Sequence, residues 1–188
     1  MPRHPDPDLE KRVLDAAQKL WRGGGDKTLS MRTLARVAKT NTPAIYRRFR
    51  DREDILRALL RRLRKDIYET LEPSQTLAEV CERYIDFALR RPREYELYYA
   101  HQYEFLRAAR VPGREEMPVF QWAIKKFAEP LGASPKQQMR LLFAIWALAH
   151  GTATLLIAKA TPPHLANELR AACTNAVAEL LRAANKET

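Results

Sequence analysis

One short stretch of the chain carries five side chains of the types that proteins use to recognise DNA: Asn41, Thr42, Pro43, Tyr46 and Arg47. Amide and hydroxyl groups can hydrogen-bond to base edges, and a proline ring can contact a thymine methyl group. A phenol and a guanidinium can bind backbone phosphates. This chemistry requires the five side chains to project from one short, rigid element into a groove.

Residues 30–49 can supply that element as two short helices with a break between them. Ser30 can cap the first helix, whose apolar face repeats at helical spacing. Asn41 or Thr42 can cap the second, and Pro43 then falls in its first turn, where a missing N–H costs nothing. The pattern predicts a helix-turn-helix, whose second helix enters the DNA major groove. The alternative is an ordinary helical hairpin with a solvated polar face.

The positive charge of the chain is concentrated in the same part of the sequence. Residues 1–70 hold 18 Lys and Arg against 10 Asp and Glu, whereas residues 71–188 hold 15 against 13. The first segment therefore carries +8 of the total net charge of +10. Such an asymmetry is typical of a nucleic-acid-binding surface, and basic helices that only maintain solubility do not predict it.

Composition and breaks predict an all-α protein of about nine helices, since only 6 of 188 residues are glycine and β-branched runs are scarce. We expect a helix-turn-helix DNA-binding domain over residues 1–50 and a second domain over 51–188, with 51–71 as a shared connecting helix. Residues 1–8 are expected to be a mobile tail. The other helices are expected at about 8–22, ended by a run of three glycines, and at 76–91, 92–107, 118–127, 135–160 and 164–184, with a loop at 110–117.

The cysteines and the termini indicate a reducing, cytoplasmic setting. Cys81 and Cys173 have neither the spacing of a disulfide framework nor that of a metal site, so buried thiols are expected, with a redox-sensing pair as the alternative. The N-terminus has no apolar segment typical of a signal peptide. Residues 141–158 carry no formal charge, but they include His150 and Gly151, which favours a buried helix over a membrane span.

A more specific pattern runs from about residue 8 to residue 60. It consists of Val13-Leu14-Asp15-Ala16-Ala17, Leu20-Trp21, Gly25, Ser30-Met31-Arg32-x-Leu34-Ala35-x-x-Ala38, Ala44-Ile45-Tyr46-x-x-Phe49 and Arg50-Asp51-Arg52-Glu53-Asp54-Ile55-Leu56. This pattern resembles the TetR family of bacterial transcriptional repressors, because it matches a dozen positions and both turn lengths. The resemblance implies a dimer that binds operator DNA.

The resemblance also assigns residues. Ser30 and Arg32 would contact phosphates from the first helix of the motif, and Arg52 would hold a phosphate from the start of the long helix. The recognition surface would be Thr40, Asn41, Thr42, Pro43, Tyr46 and Arg47. Two positions depart from the family pattern. Lys39 replaces the usual turn glycine, at a cost of about 1 kcal/mol if its φ is positive, and it can add a phosphate contact. Asp26 stands where an aromatic residue is usual.

The second domain shows a resemblance of lower specificity. The residues that carry it are Ala88, Leu89, Pro92, Tyr95, Leu97, Tyr98 and the run Trp146-Ala147-Leu148-Ala149-His150-Gly151. They resemble the TetR C-terminal type named for its Trp, His and Gly. In the family, the last two long helices of two protomers form a four-helix bundle, so residues of about 136–184 are expected to form a homodimer interface.

An aromatic cluster in this second domain can line a ligand cavity that is mostly apolar with a few polar tips. The candidate residues are Tyr98, Tyr99, His101, Tyr103, Trp122, Trp146 and His150. The alternative is that the same residues are ordinary core, because aromatic stripes at helical spacing are more often core than ligand contacts.

Enzyme signatures are weak. His101 and Glu104 lie one helical turn apart and can share a metal, but no second Glu-x-x-His repeat follows. No Gly-rich phosphate loop, nucleophile elbow or Cys/His metal box occurs, so we expect no catalytic residue, cofactor or metal.

The sequence and the resemblance together predict a homodimer that binds a palindromic operator and is released by a small apolar or aromatic effector. That it acts as a repressor is implied by the resemblance alone. A first alternative is a constitutive or partner-controlled DNA-binding dimer without a ligand. A remote alternative is a helical enzyme with a vestigial DNA-binding module.

Overall fold

The computed structural model describes residues 6–108, 118–132 and 134–186, and over these residues the chain forms nine α-helices and no β-strand. The all-α fold class predicted from the sequence is thereby confirmed. The helices are α1 (Leu9–Gly24), α2 (Met31–Val37), α3 (Thr42–Tyr46), α4 (Arg52–Leu71), α5 (Leu77–Arg90), α6 (Pro92–Ala108), α7 (Pro118–Ala123), α8 (Pro135–Ile157) and α9 (Ala166–Lys186).

The chain divides into two compact units that do not follow a single cut in the sequence. The first consists of Met1–Lys65 and Arg93–Ala108, and the second of Asp66–Pro92 and Ala109–Thr188. The division falls inside α4, and almost all of α6 belongs to the first unit. The domain boundary expected after residue 50 stays a prediction, and sequence order gave no sign that α6 groups with the N-terminal helices.

In the first unit, α1 to α3 bury one shared apolar core. Helices α2 and α3 have seven and five residues, whereas isolated helices shorter than about 12–15 residues are marginal in water. Their stability must therefore come from burial of their inner faces. The residues that supply this burial are Val13, Ala17 and Trp21 of α1, Leu34 and Ala35 of α2, Ala44 and Ile45 of α3, and Phe49 after it.

A fully buried carboxylate attaches α6 to α1. Glu94 is 0% exposed. Its Oε1 accepts a hydrogen bond from Gln18 Nε2 at 2.8 Å, and its Oε2 accepts one from Arg22 Nε at 2.7 Å. Next to it, Trp21 Nε1 donates to the Arg93 carbonyl at 2.9 Å. Because a buried charge without partners costs several kcal/mol, these donors specify how α6 sits on α1.

In the second unit, α5, α8 and α9 pack against one another. The side chains buried in these three helices include Leu77, Cys81, Ile85 and Ala88 of α5, Leu142, Ile145, Ala149, Thr152 and Ala153 of α8, and Cys173 and Val177 of α9. Ser134 caps α8 through a reciprocal pair of bonds with Gln137, in which each side chain bonds to the other backbone N–H.

Several helix ends differ from the sequence-based expectation. Helix α1 runs on to Gly24, because the residue that stops it is Gly25, whose φ is +66°. Helix α8 ends at Ile157 rather than near 160, since Lys159 takes a left-handed conformation with φ of +53°. The expected second helix of the motif stops at Tyr46, although a hydrogen-bonded turn carries the chain on to Phe49.

The expected helix over 118–127 also changes character midway. Regular α-helix ends at Ala123, and the chain continues as a five-residue π-helical segment, Ile124–Ala128, and a 3₁₀ turn, Glu129–Leu131. Pro130 explains why a regular helix cannot continue, since it lacks the N–H that would bond to Lys126 and its ring would clash with that carbonyl. The loop expected at 110–117 lies outside the described residues.

The turn between α2 and α3 generates a stability prediction. Lys39 has a φ of +53°, a conformation that costs a residue with a Cβ about 1 kcal/mol and glycine almost nothing. We expect Lys39→Gly to have a free energy of unfolding about 1 kcal/mol higher than Lys39→Ala, as measured by urea denaturation. Both variants lose the lysine side chain, so equal stabilities would show that the turn is not strained.

Candidate nucleic-acid interface

The break between α2 and α3 fixes the angle at which α3 leaves α2. The Thr40 N–H donates to the Ala35 carbonyl at 2.9 Å, and the Lys39 N–H donates to the Arg36 carbonyl at 3.3 Å. This is the bonding expected where a left-handed residue ends a helix. Lys39 thus takes a positive φ at the position where the resemblance places a glycine.

Helix α3 presents one polar face to solvent. Tyr46 is 53% exposed, Pro43 and Arg47 are exposed, and Thr42 is half-buried. On the opposite face, Ala44 and Ile45 are buried in the core of the first unit. The structure thus brings four of the predicted recognition residues together on one surface of the second helix.

Asn41 is exposed next to this surface and also caps α3. Its Oδ1 accepts a hydrogen bond from the Ala44 N–H at 2.8 Å, which caps α3. The amide oxygen is therefore engaged inside the protein, and the amide nitrogen is the group that remains for a base edge. The two cap candidates from the sequence are thereby resolved in favour of Asn41 over Thr42.

Ser30 plays the same part for α2. Its Oγ accepts a hydrogen bond from the Thr33 N–H at 3.1 Å and lies 2.8 Å from the Thr33 hydroxyl. Ser30, Arg32 and Lys39 are exposed and Thr40 is half-buried. All four are thus open to solvent to some degree, as a phosphate contact requires, and their roles stay predictions.

Arg52 is held by the protein itself. Its Nε donates to the Leu29 carbonyl at 2.9 Å, and one terminal nitrogen pairs with the Asp26 carboxylate. Asp26 is the position at which this chain departs from the aromatic residue usual in the family. The phosphate contact expected for Arg52 stays a prediction, and a phosphate would have to share this guanidinium with Asp26.

The N-terminal segment makes a contact of which the sequence pattern gave no sign. Asp6 Oδ2 pairs with Arg12 Nη1 at 2.7 Å, and the Asp6 carbonyl accepts from Arg48 at 3.4 Å. The hydrogen bond from Arg12 lowers the pKa of Asp6 below its ordinary value. Arg12 Nε also donates to the Ala38 carbonyl at 3.3 Å, next to the turn. Residue 6 of the expected mobile tail is therefore tied to α1 through Arg12 and to the end of the motif through Arg48, while residues 1–5 lie outside the described residues.

The pocket candidates fall into the two compact units. In the first, Tyr99 lies between two other tyrosines of α6, with ring centroids 4.7 Å from Tyr95 and 5.0 Å from Tyr98. Burial raises the pKa of the Tyr98 phenol, which keeps it neutral. His101 is half-buried, and the side chain of Tyr103 lies outside the described part of the structure.

In the second unit, Trp146 and His150 lie together on α8, with ring centroids 5.6 Å apart. The Nδ1 of His150 is 3.2 Å from the Tyr84 hydroxyl, and burial lowers the pKa of His150, so its imidazole is neutral at pH 7. Phe120 packs edge-on against Trp146, at 5.7 Å. The sequence pattern predicts Tyr84 only as a core residue, although a tyrosine on a buried stripe needs a hydrogen-bond partner for its hydroxyl.

Trp122 belongs to a different aromatic group from Trp146. Its ring lies edge-on to Tyr68 at 6.0 Å and to Phe127 at 5.5 Å. Lys126 Nζ lies 5.7 Å from the centroid of the Trp122 ring, within the range of a cation–π contact. Among the residues described, no group of three or more His, Cys, Asp and Glu side chains is placed to hold a metal ion.

Helix α8 is, among the described helices, the one that is long and apolar enough to cross a membrane. This is weak support for a membrane span, because the core helix of a soluble protein passes the same test of length and composition.

Two family models match the chain. The model described as "Bacterial regulatory proteins, tetR family" matches residues 13–59, and the one described as "Tetracyclin repressor-like, C-terminal domain" matches residues 77–183. Together they cover both halves of the chain, and the second alone covers more than half of it. A comparison with curated protein sequences finds no match.

Solved structures of low sequence identity share the fold. A protein of unknown function from Rhodococcus sp. RHA1 is 22% identical, with a TM-score of 0.68 over 97% of this chain and 98% of its own. A tetR-family transcriptional regulator from Streptomyces coelicolor is 18% identical, with a TM-score of 0.68 over 98% and 85%.

A third solved structure is a TetR variant from Acinetobacter baumannii AYE in complex with minocycline. It is 20% identical, with a TM-score of 0.63 over 92% of this chain and 94% of its own. The capped helix-turn-helix, the helical second unit and the two matching family models lead to one conclusion: the chain belongs to the TetR family of DNA-binding transcriptional regulators.

Proposed function

We propose that the protein is a homodimeric, cytoplasmic repressor that binds a palindromic operator through α3 and is released by a small apolar or aromatic ligand. The observation that carries the DNA-binding part is the exposed face of α3, where Thr42, Pro43, Tyr46 and Arg47 project from a helix whose other side is buried. An exposed phenol next to an exposed guanidinium suits a groove that is lined by phosphates.

The exposed apolar side of α8 supports the homodimer. Phe143 is 43% exposed, as is Leu155, and Ala147 between them is also exposed. Only 28% of the most apolar stretch of α8 is buried within one chain. A second copy of α8 and α9 would cover this surface and complete a four-helix bundle, as the family resemblance implies.

We further propose that the second domain is of the Trp-His-Gly type. Support comes from Trp146 and His150, whose rings lie 5.6 Å apart at a tilt of 34° on successive turns of α8, and from Gly151, where nothing lies within 4 Å of the position that a Cβ would take. The open space at Gly151 would allow a neighbouring helix to approach closely. The neutral imidazole of His150, bonded to Tyr84, would be the polar tip of a mostly apolar site.

In the proposed mechanism, two helices would carry the effect of a ligand to the DNA-binding surface. Helix α4 continues from the first unit into the second between Lys65 and Asp66, and α6 is bonded to α1 through Glu94. A dimer fits DNA only when its recognition helices are about 34–36 Å apart, one groove repeat. To weaken binding a hundredfold, a ligand must favour the incompetent state by about 2.7 kcal/mol.

The first test is binding to a labelled duplex from the region upstream of the gene, followed by fluorescence anisotropy with scrambled DNA as competitor. We expect two protomers or a multiple per site, and an affinity that falls with salt by a slope of about −0.9 for each phosphate contacted. Equal affinity for scrambled DNA would contradict sequence-specific recognition.

The proposed dimer interface is tested by Ala147→Arg. This variant places a charge in the interface and should give monomers that bind DNA weakly.

The assignment of α3 is tested by Arg47→Ala and Tyr46→Phe. Each removes a polar group that the structure exposes, so both variants should keep the wild-type melting temperature. We expect Arg47→Ala to weaken binding about tenfold, or about 1.4 kcal/mol, and to reduce the salt slope by about 1. Arg83→Ala, which removes the same charge from an exposed position on α5, is the matched control. Unchanged affinity in Arg47→Ala and Tyr46→Phe would remove α3 from the interface.

The ligand is sought with a panel of planar aromatic molecules, minocycline among them, added to the protein–DNA complex. An effector should release DNA and raise the melting temperature of the free protein, because it binds the folded, DNA-incompetent conformation preferentially. It should also quench tryptophan fluorescence, because the proposed site contains Trp146. Trp146→Phe should weaken all three responses. If no compound stabilises the protein while releasing DNA, the constitutive or partner-controlled dimer becomes the better description.

A further inference from the structure

Two cysteines that lie 92 positions apart in the sequence meet inside the second unit. Cys81 of α5 and Cys173 of α9 are buried, at 2% and 4% exposed, and both carry free thiols. The two thiols are near enough for each to shift the pKa of the other. Two buried thiols this near each other on packed helices are candidates for a disulfide bond.

The neighbours of both cysteines hold the two helices in this register. Glu82, which follows Cys81, accepts hydrogen bonds from Arg170 at 2.5 Å and from the Thr174 hydroxyl at 2.8 Å. Arg170 also bonds to Asp86 at 2.8 Å. Since Glu82 directly follows Cys81 and Thr174 directly follows Cys173, these bonds fasten α9 to α5 next to both cysteines. They therefore hold the two cysteines in one register of the two helices.

The two thiols are chemically unequal. The neighbouring Cys81 thiol and Thr152 hydroxyl favour the thiolate form of Cys173 and lower the pKa of Cys173. The interaction with Cys173, together with burial, raises the pKa of Cys81. A thiolate is the form of cysteine that attacks an oxidant, so Cys173 has the character of the attacking residue and Cys81 that of the resolving residue.

We propose that Cys81 and Cys173 form a redox-active pair that a peroxide converts into an intramolecular disulfide between α5 and α9. The Cys173 thiolate attacks one peroxide oxygen, the O–O bond breaks, and hydroxide leaves while Cys173 becomes a sulfenic acid. The Cys81 sulfur then attacks the Cys173 sulfur, the S–O bond breaks, and the oxygen leaves as water with the Cys81 proton. The two sulfurs lose two electrons in total, and the peroxide gains them.

This activity is independent of operator binding and of the aromatic ligand. Because both sulfurs are buried, the peroxide reaches them through transient local opening around α9, so the reaction is slower than that of an exposed thiol. The product restricts the motion of α5 against α9, and a thiol reductant reverses it.

The test treats the folded, full-length protein with hydrogen peroxide, unfolds it in the presence of iodoacetamide and measures its mass. We expect untreated protein to take up two alkyl groups per chain, and oxidised protein to take up none and to be lighter by two hydrogen atoms. Dithiothreitol should restore both alkylation sites. The oxidised protein should also melt at a higher temperature than the reduced protein.

Single variants test the order of events. In Cys81→Ser the sulfenic acid of Cys173 has no resolving partner, so dimedone should label Cys173. In Cys173→Ser the remaining thiol should stay alkylatable after peroxide treatment. If the serine variants fail to fold, Cys81→Ala and Cys173→Ala are used in their place. Peroxide-treated wild type that still takes up two alkyl groups, or a disulfide that joins two chains on a non-reducing gel, would overturn the proposal.

Discussion

A helix of five residues cannot hold its shape in water through its own hydrogen bonds, and α3 is such a helix. The position of every side chain on it that is proposed to recognise DNA therefore depends on burial of the two residues on its inner face, Ala44 and Ile45. Fully burying a side chain such as Ile45 contributes about 1.5–3 kcal/mol, more than the caps at Ser30 and Asn41, which contribute about 1 kcal/mol each. The caps set where the helices begin, while the shared core determines whether they exist.

The first unit depends on a second interaction of a different kind. Glu94 places a carboxylate where no water reaches it, and Gln18 and Arg22 supply the hydrogen bonds that it needs there. The two bonds are directional, so they restrict the positions that α6 can take on α1. Any displacement of α6 would break charge-assisted bonds that are costly to lose, so movement of α6 and movement of α1 are energetically coupled.

The elements of this fold with periodic apolar patterns and local stop signals could be predicted from the sequence. Ser30, Thr76 and Ser134 cap their helices as their types predict, and Lys39 takes the positive φ that its place in the turn implies. The grouping of α6 with α1 could not be predicted, because Glu94 is one acid in a charged run, Pro92-Arg93-Glu94, and burial of an acid leaves no periodic signature. The Tyr84–His150 and Cys81–Cys173 contacts also join distant segments, and a single sequence carries no record of such pairs.

The Arg52–Asp26 pair shows why a family assignment does not transfer one residue at a time. The resemblance gives Arg52 a phosphate, but in this chain Asp26 replaces an aromatic residue and its carboxylate already pairs with the same guanidinium. If a phosphate bound Arg52, the arginine would exchange its bond to Asp26 for a bond to the phosphate. The negative charge of the phosphate would also lie close to that of Asp26. The net gain from Arg52 would then be smaller than from Arg47, which is exposed and ends the recognition helix. The electrostatic part of DNA binding in this protein should therefore rest more on the end of α3 than on the start of α4.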